Sequence, residues 1–328
     1  MKLVAVLERV FLNLSELDTI LFKVMAYDDS TSQTLGTALV LALSQGLPPV
    51  LGHPVAAAIS YVLGNRFWSP TFQAISINQW VAHGCKLKPY ELRKKIRRVY
   101  QNQGRALYDF YHNIDRPEEL KKFIKLTPAF RTMMDECMSG KMEQGTLMLM
   151  PHLSGFNLGG LYLAQLGFKF LTLAIPHPNR GYAWQNHLRN SRGMEVLPMS
   201  ISSMQLARQR LQQGGTVLTG IDRPLEDSGY QPAFFGRTAS LPVAYVKLAM
   251  KTGARVKVVG FQNLKDHSCI VDVSPEVILD RYEDPHEELT RNAEKILKIV
   301  EQFIRLDPTQ WMMFLPVWPD VVNEMPRI

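Results

Sequence analysis

The sequence predicts an α/β fold in which a central, mostly parallel or mixed sheet is flanked by helices and follows an apolar N-terminal helical segment. Two patterns carry this prediction. After residue 145, short apolar runs alternate with amphipathic segments, which is typical of a sheet covered by helices on both faces. Between Ser30 and Cys85, the only formally charged side chain is that of Arg66, which is unusual for a soluble surface.

The composition excludes several classes of protein. The 328 residues are 46% hydrophobic and 20% charged, which fits neither a disordered chain nor a highly charged coiled coil. Cys85, Cys137 and Cys269 lie far apart without a CxxC pair, which excludes a disulfide framework and a sulfur-rich zinc site and favours a reducing compartment. Glu8 and Asp18 fall where a signal peptide needs apolar residues, so we expect no signal peptide.

The apolar segment 37–64 is long enough to suggest a transmembrane helix. However, Gly46, Pro48, Pro49 and Pro54 are expected to cut it into two pieces of about 10 residues each, and each piece is shorter than the roughly 20 residues that span a bilayer. Two interpretations remain for this segment. It forms either a buried hairpin or a helical pair that dips into the membrane interface.

A basic run follows at residues 86–98, with seven basic residues and one glutamate. The run suits a solvated helix face, an anionic membrane surface or an acidic acyl carrier protein. The nearby aromatic residues form no RNA- or DNA-binding signature, so we predict no nucleic-acid partner. We therefore expect a membrane-associating segment at 1–98 and one compact α/β catalytic unit at 99–328.

The regular elements follow from the spacing of apolar residues along the chain. The predicted strands are 146–150, 170–175, 194–198, 216–221, 255–261 and 269–273. The predicted helices are 91–125, 156–166, 182–192, 202–213, 241–252 and 286–305. In such a sheet, a site is expected at the carboxyl ends of the strands.

Two strand ends carry candidate catalytic residues. His152 follows the run 146–150, and histidine suits general-base chemistry near neutral pH, although His152 could instead cap the next helix. A base of this kind needs an acceptor for its other ring nitrogen. Asp222 follows the run ending at 221 and could face His152 across the sheet edge, or else pair with Arg223. Asn157 could also bond to His152 if the residues between them form a loop.

Four motif blocks occur in order along the chain. They are His152 with Asn157 five positions later, Arg189 with Arg192 and Gly193, Asp222 followed by Phe234, Phe235 and Gly236, and Pro308 with Gln310 and Trp311. In these blocks the sequence resembles the lipid A biosynthesis acyltransferase family, which includes lauroyl/myristoyl and phosphatidylinositol mannoside acyltransferases. The resemblance covers nearly the whole chain and implies a glycerolipid-acyltransferase-like fold.

The resemblance implies an acyltransferase of glycolipid biosynthesis and lipid metabolism, acting as a peripheral membrane protein on the cytoplasmic face of the cell membrane. It would transfer a fatty acyl group from acyl carrier protein or coenzyme A to a hydroxyl of a membrane glycolipid or lipid A-like acceptor, with His152 as general base. No cofactor is implied beyond the acyl thioester. The remaining histidines show no ligand spacing, so no metal is expected.

Further residues are candidates for binding substrate. Arg189, Arg192 and backbone N–H groups near Gly155 are candidate donors to the tetrahedral oxyanion. Arg223 and Arg237 are candidates for holding a phosphate, because the guanidinium fork matches phosphate oxygens. The predicted set is completed by the aromatic residues of the third block, which either line a groove or belong to the core, and by the glycine after them: Phe234, Phe235 and Gly236.

Two departures from the family pattern leave alternatives open. Asn157 stands where the family usually has a carboxylate, so either Asp222 orients His152, or catalysis is weakened, or the protein is an inactive lipid-binding homologue. The basic residues that often follow the terminal tryptophan are absent after Trp311, which indicates different acceptor recognition. A non-sugar acceptor, such as an amine or a glycerol lipid, is a further alternative.

Overall fold

The computed structural model describes residues 40–178, 180–226, 228–266 and 268–327. The expectation about a signal peptide lies outside these residues. The strands are β1 (Ile124–Leu126), β2 (Thr146–Met150), β3 (Leu171–Ala174), β4 (Glu195–Pro198), β5 (Thr216–Gly220), β6 (Ala233–Phe234), β7 (Arg237–Thr238), β8 (Arg255–Asn263) and β9 (Cys269–Val273). The α-helices are α1 (Pro49–Leu63), α2 (Pro70–Ala82), α3 (Pro89–Asn113), α4 (Pro117–Phe123), α5 (Pro128–Met138), α6 (Phe156–Gln165), α7 (Arg180–Asn190), α8 (Ile201–Gln212), α9 (Ala244–Thr252) and α10 (Pro285–Leu306).

The central sheet has seven strands in the order β1-β9-β8-β2-β5-β3-β4, and β6 pairs with β7 in a separate hairpin. Neighbouring strands of the central sheet are parallel except for β8 and β9, which are antiparallel. The predicted mostly parallel or mixed sheet is therefore confirmed. All six predicted strands are present within two residues of their expected bounds.

Helices cover both faces of the sheet. Side chains of a strand point alternately to opposite faces, and in β2 both sets are buried. Leu147 and Leu149 belong to one core with Ile296 of α10, whereas Met148 and Met150 belong to a second core with Leu161 of α6. The two cores enclose β2 and its neighbours, so the strand ends are held rigidly.

The prediction that residues 91–125 form helices is confirmed as far as Phe123 and is wrong for residues 124 and 125. The chain there forms α3, α4 and the short strand β1, whose residue Ile124 pairs with Cys269 of β9. Helix α5, which begins after Thr127, was not predicted either. The side chain of Thr127 accepts a hydrogen bond from the Phe130 N–H and so caps the helix. Strand β1 was not predicted because its backbone hydrogen bonds come from β9, which is distant in the sequence.

The predicted break at Pro54 is also wrong, because Pro54 lies inside α1. A proline at this position removes the hydrogen bond to the carbonyl of Val50. Val50 is 82% exposed, so water can solvate that carbonyl. Many apolar side chains of α1 are exposed, whereas most side chains of α2 are buried. The buried-hairpin interpretation therefore fails for α1. No helix in the described part of the chain is both long and apolar enough to cross a bilayer.

Helix α3 connects the apolar front to the sheet. It packs against α1 and α2 on one side and against α6 on the other. The predicted domain boundary between residues 98 and 99 falls within this continuous helix. The division itself stays a prediction.

Residues 308–318, which we name the C-terminal segment, cross the front of the sheet. Buried amide side chains of α2 and α3 hold this segment. Asn78 donates to the carbonyl oxygens of Met313 (3.0 Å) and Leu315 (2.8 Å). Asn102 donates to the carbonyl oxygen of Thr309 (2.9 Å). The segment is thereby fixed beside the carboxyl ends of the strands.

Candidate active site

The register of two neighbouring strands brings His152 and Asp222 together. Strands β2 and β5 are parallel, and Met150 is paired with Gly220. Each candidate residue lies two positions beyond this pair, so both leave the sheet side by side. Nδ1 of His152 lies 2.6 Å from Oδ1 of Asp222, so Asp222 faces His152, which is one of the two alternatives that the sequence left open. Their catalytic roles stay predictions.

Three hydrogen bonds converge on the fully buried carboxylate of Asp222. Oδ1 bonds to the imidazole of His152, and Oδ2 accepts from the His152 backbone N–H (2.9 Å) and from Nε1–H of Trp311 (2.7 Å). Burial acts to raise the pKa of Asp222, but the charge of His152 and these hydrogen bonds outweigh it and lower the pKa. The ionised carboxylate stabilises the fold above the ordinary carboxyl pKa, and this contribution is lost as the pH falls through the lowered pKa.

An ionised Asp222 fixes the tautomer of His152. A carboxylate only accepts hydrogen bonds, so Nδ1 of the imidazole carries the proton and Nε2 is left to accept one. The imidazole is 20% exposed and faces a cavity. This arrangement suits a general base.

Gly220 provides the space for the imidazole ring. A Cβ atom built on Gly220 would overlap Cε1 of His152. On another side of the imidazole, the Phe156 ring makes an edge-on contact with a centroid distance of 5.9 Å. The orientation of His152 therefore depends on the absence of a side chain at position 220.

The loop after His152 is bonded to the C-terminal segment and to β8. Ser154 donates its backbone N–H to the carbonyl of Gln310 (2.9 Å), and Gly155 donates to that of Phe261 (3.3 Å). These two N–H groups have acceptors within the fold. The role of backbone N–H groups near Gly155 as oxyanion donors stays a prediction.

Asn157 bonds to Arg189 rather than to His152. Its Oδ1 accepts from Nε (3.1 Å) and Nη2 (2.6 Å) of Arg189, whose other hydrogen bonds include the side-chain oxygens of Gln185 and Asn186. Burial lowers the pKa of Arg189, which is 4% exposed. In the described part of the chain no carboxylate pairs with this guanidinium. It therefore lies in the site as a cation held by neutral amides.

An apolar cavity of about 440 Å³ adjoins the pair of His152 and Asp222. Thr172 and Leu173 of β3 both line it. Its walls include the apolar side chains Met150, Phe156, Met199, Met204, Val243 and Leu248. The charged or polar groups on its walls include His152, Tyr182, Arg189 and Arg223.

The other predicted binding residues lie outside this cavity lining. Arg192 pairs with Asp115 (2.6 Å), and Arg237 pairs with Glu324 (2.6 Å). The rest of the predicted set lies in the β6–β7 hairpin, where Phe234 ends β6 and Phe235 and Gly236 form the turn. Both phenylalanine rings pack against the indoles of Trp311 and Trp318, behind the site. The substrate-binding role of these residues stays a prediction.

Sequence reasoning missed the roles of Gly220 and Trp311. Trp311 was noted in a motif block, but its contact with Asp222 joins positions 89 residues apart. A glycine two residues before the acidic strand end was the available signal for Gly220. The described residues contain no group of three or more His, Cys, Asp or Glu side chains placed to hold a metal ion. The absence of a cofactor stays a prediction.

Comparison with known proteins identifies the family. The model of the bacterial lipid A biosynthesis acyltransferase family matches residues 90–319, so the chain belongs to that family. It is 32% identical over 114 residues to the phosphatidylinositol mannoside acyltransferase of Mycobacterium tuberculosis (strain ATCC 25618 / H37Rv), covering 34% of this chain and 36% of that protein. It is 30% identical over 115 residues to the enzyme of the same name from Mycolicibacterium smegmatis (strain ATCC 700084 / mc(2)155), covering 34% and 38%. The chain thus spans little more than a third of the curated relatives that it matches.

Gly220→Ala is expected to displace the imidazole and to lower kcat/KM for acyl transfer by about 100-fold, the order of loss that a misplaced catalytic group causes. Circular dichroism should show that the variant stays folded. Gly160→Ala is the matched control, because it also adds a methyl group to the cavity wall but meets only the mobile end of Met194 (3.0 Å). Equal activities of the two variants would contradict this role of Gly220.

Asn157→Asp is expected to stabilise the protein by roughly 1–2 kcal/mol, because a carboxylate would neutralise the buried Arg189 and make charge-assisted hydrogen bonds to it. Thermal unfolding measures this effect. Asn157→Leu, which removes the acceptor, should unfold at a lower temperature than the wild type.

If Asn157→Ala abolished acyl transfer while Asp222→Asn did not affect it, the assignment of Asp222 as the partner of His152 would be wrong.

Proposed function

We propose that the protein transfers a fatty acyl group from an acyl thioester of acyl carrier protein or coenzyme A to a hydroxyl of a membrane glycolipid or lipid A-like acceptor. The observation that carries this proposal is the pair of His152 and Asp222, which opens onto an apolar cavity. Membership of the acyltransferase family supports the reaction class. The names of the mycobacterial relatives favour a glycolipid acceptor.

In the proposed reaction, Nε2 of His152 takes the proton of the acceptor hydroxyl as its oxygen attacks the thioester carbonyl. A C–O bond forms and a tetrahedral oxyanion develops. The intermediate then collapses, the C–S bond breaks, and the departing sulfur takes the proton from His152. The carboxylate of Asp222 stabilises the imidazolium that exists between these steps.

Two arginines on the cavity wall have suitable chemistry for the charges that develop. Arg189 carries a charge that no described carboxylate neutralises, so among the predicted oxyanion donors we favour it for its charge, although its N–H groups also bond to Asn157, Gln185 and Asn186. Such a donor is worth about 3 kcal/mol of the barrier. Arg223 has no ion-pair partner in the described part of the chain, which supports a role in holding a phosphate of the donor or acceptor.

The cavity is suited to bind a long apolar ligand. Its volume lies in the range of pockets that enclose small molecules, and its walls are mostly aliphatic and aromatic. Transfer of an acyl chain from water to these walls gains roughly 0.8 kcal/mol for each buried methylene group. The acyl chain is therefore the part of the donor that we assign to this space.

The alternative is an inactive or weakened lipid-binding homologue, which Asn157 suggested. In the structure Asn157 contacts Arg189, and His152 has a carboxylate partner without it. The departure at position 157 therefore leaves the proposed base and its acid intact. This observation favours the enzyme over the lipid-binding alternative.

His152→Ala is expected to reduce acyl transfer by about 10³–10⁴-fold, because no other group takes the hydroxyl proton. The assay supplies an acyl thioester of coenzyme A or of acyl carrier protein and a lipid extract, and mass spectrometry measures the acylated product. The exposed His177, which does not line the cavity, gives the control variant His177→Ala. If wild type made no more product than His152→Ala with either donor, the enzyme proposal would be abandoned. If wild type did make product, the class of the acylated lipid would identify the acceptor.

We also propose that the protein binds the anionic cytoplasmic face of the cell membrane through α1 and the start of α3. Val62 is 65% exposed on α1. The guanidinium of Arg97 lies over the ring of Tyr61 (5.6 Å), and that of Arg93 lies over the ring of Phe67 (4.9 Å). The apolar and basic surfaces are therefore adjacent, as binding to an anionic interface requires.

Vesicle flotation tests this membrane proposal. The protein is expected to bind anionic vesicles more tightly than neutral ones, and binding should weaken at high salt. Replacing Lys86, Lys88 and Lys94 by Ala should lower affinity by about two orders of magnitude, at about 1 kcal/mol for each basic residue. Val62→Asp should weaken binding, whereas Ile201→Asp, at an equally apolar side chain that is 83% exposed on α8, should not. Salt-independent binding would argue against the basic run.

A further inference from the structure

We propose that Trp311 is a positioning residue for the proposed catalytic pair: its indole N–H fixes the carboxylate of Asp222 in the orientation that serves His152. This inference rests on the proposed function of His152 as the base. Neither the family match nor the sequence motif assigns a role to this tryptophan.

The hydrogen-bond donors are divided between the two carboxylate oxygens of Asp222. Oδ1 serves the imidazole of His152, while Oδ2 accepts from the His152 backbone and from the indole of Trp311. The two donors to Oδ2 belong to segments far apart in the chain. Rotation of the carboxylate would break both of these hydrogen bonds inside a fully buried site, which costs far more than it would in water.

The indole of Trp311 cannot move freely. Trp311 is almost completely buried, and its ring stacks on that of Phe235 with a centroid distance of 6.0 Å. The ring of Phe234 meets it edge-on at 5.8 Å, and that of Trp318 at 6.2 Å. The N–H of Trp311 is therefore aimed at Asp222 by packing that does not involve His152.

The C-terminal segment also holds the backbone of His152. Met312 donates its backbone N–H to the carbonyl of His152 (2.7 Å), and Leu153 forms a β-bridge with Trp311. On the far side, Gln79 of α2 donates to the carbonyl of Pro308 (2.7 Å). The C-terminal segment thus sets the position of both members of the pair.

Loss of the indole N–H has a defined consequence. One donor would remain on Oδ2, and burial would then raise the pKa of Asp222 relative to the wild type. A protonated Asp222 cannot stabilise an imidazolium. The acidic limb of the activity profile is therefore expected to move to higher pH, which a merely structural role would not cause.

Trp311→Phe and Trp318→Phe form a matched pair. Both indoles are buried in the same aromatic cluster, but Nε1 of Trp318 has no hydrogen-bond partner in the described part of the chain. Trp311→Phe is expected to lower kcat at least about 10-fold with little change in KM, and to move the acidic limb to higher pH. Trp318→Phe should keep the wild-type limb. Identical profiles for the two variants would overturn the proposal.

The hydrogen bond is also tested without an activity assay. In a ¹⁵N-labelled protein, the indole resonance that disappears in Trp311→Phe belongs to Trp311. Asp222→Asn is expected to move this resonance upfield and to leave that of Trp318 in place. If Trp311→Phe fails to fold, the Trp311 resonance is assigned instead from its NOEs to the neighbouring rings of Phe235 and Trp318. An unmoved Trp311 resonance would overturn the proposal.

The two tests separate the proposals. If the Trp311 resonance responds to Asp222→Asn but wild-type protein transfers no acyl group, the proposed function fails and the contact between indole and carboxylate stands. If acyl transfer depends on His152 but Trp311→Phe keeps the wild-type pH profile, the positioning role fails and the function stands.

Discussion

A carboxylate that is completely removed from water keeps its charge only if donors converge on it, and the arrangement around Asp222 meets this requirement. Its donors come from the loop after β2 and from the C-terminal segment, while Asp222 itself follows β5. Three separate parts of the chain must therefore be correctly placed for one ionised group. The in-register parallel pairing of β2 with β5 places two of them, and buried amides such as Asn78 place the third.

The core behind the site serves this arrangement. Because β2 is buried on both faces, neither it nor β5 can shift without disturbing a packed core. The aromatic cluster of the β6–β7 hairpin, with Phe234 and Phe235, lies against Trp311 and limits its movement. Residues that resemble a binding motif in the sequence thus contribute packing to the tryptophan that bonds to Asp222.

The departure at Asn157 has a local meaning. A carboxylate at this position would neutralise Arg189, whereas an asparagine leaves a cation on the wall of the cavity. Buried charges without a counter-charge are costly, so the stability lost there is expected to be matched by a use for the positive charge. An oxyanion that develops during acyl transfer is the use that we propose.

Local periodicity determined the fold class and six of the strands, because alternating apolar runs must be buried whatever their neighbours are. It also placed His152 and Asp222 at strand ends, where residues of different strands meet. The partner of Asn157, the role of Gly220 and the contact of Trp311 with Asp222 were decided only by tertiary structure. These contacts depend on strand order and register, which join positions as much as 89 residues apart. Spacing along the chain carries no information on such distances.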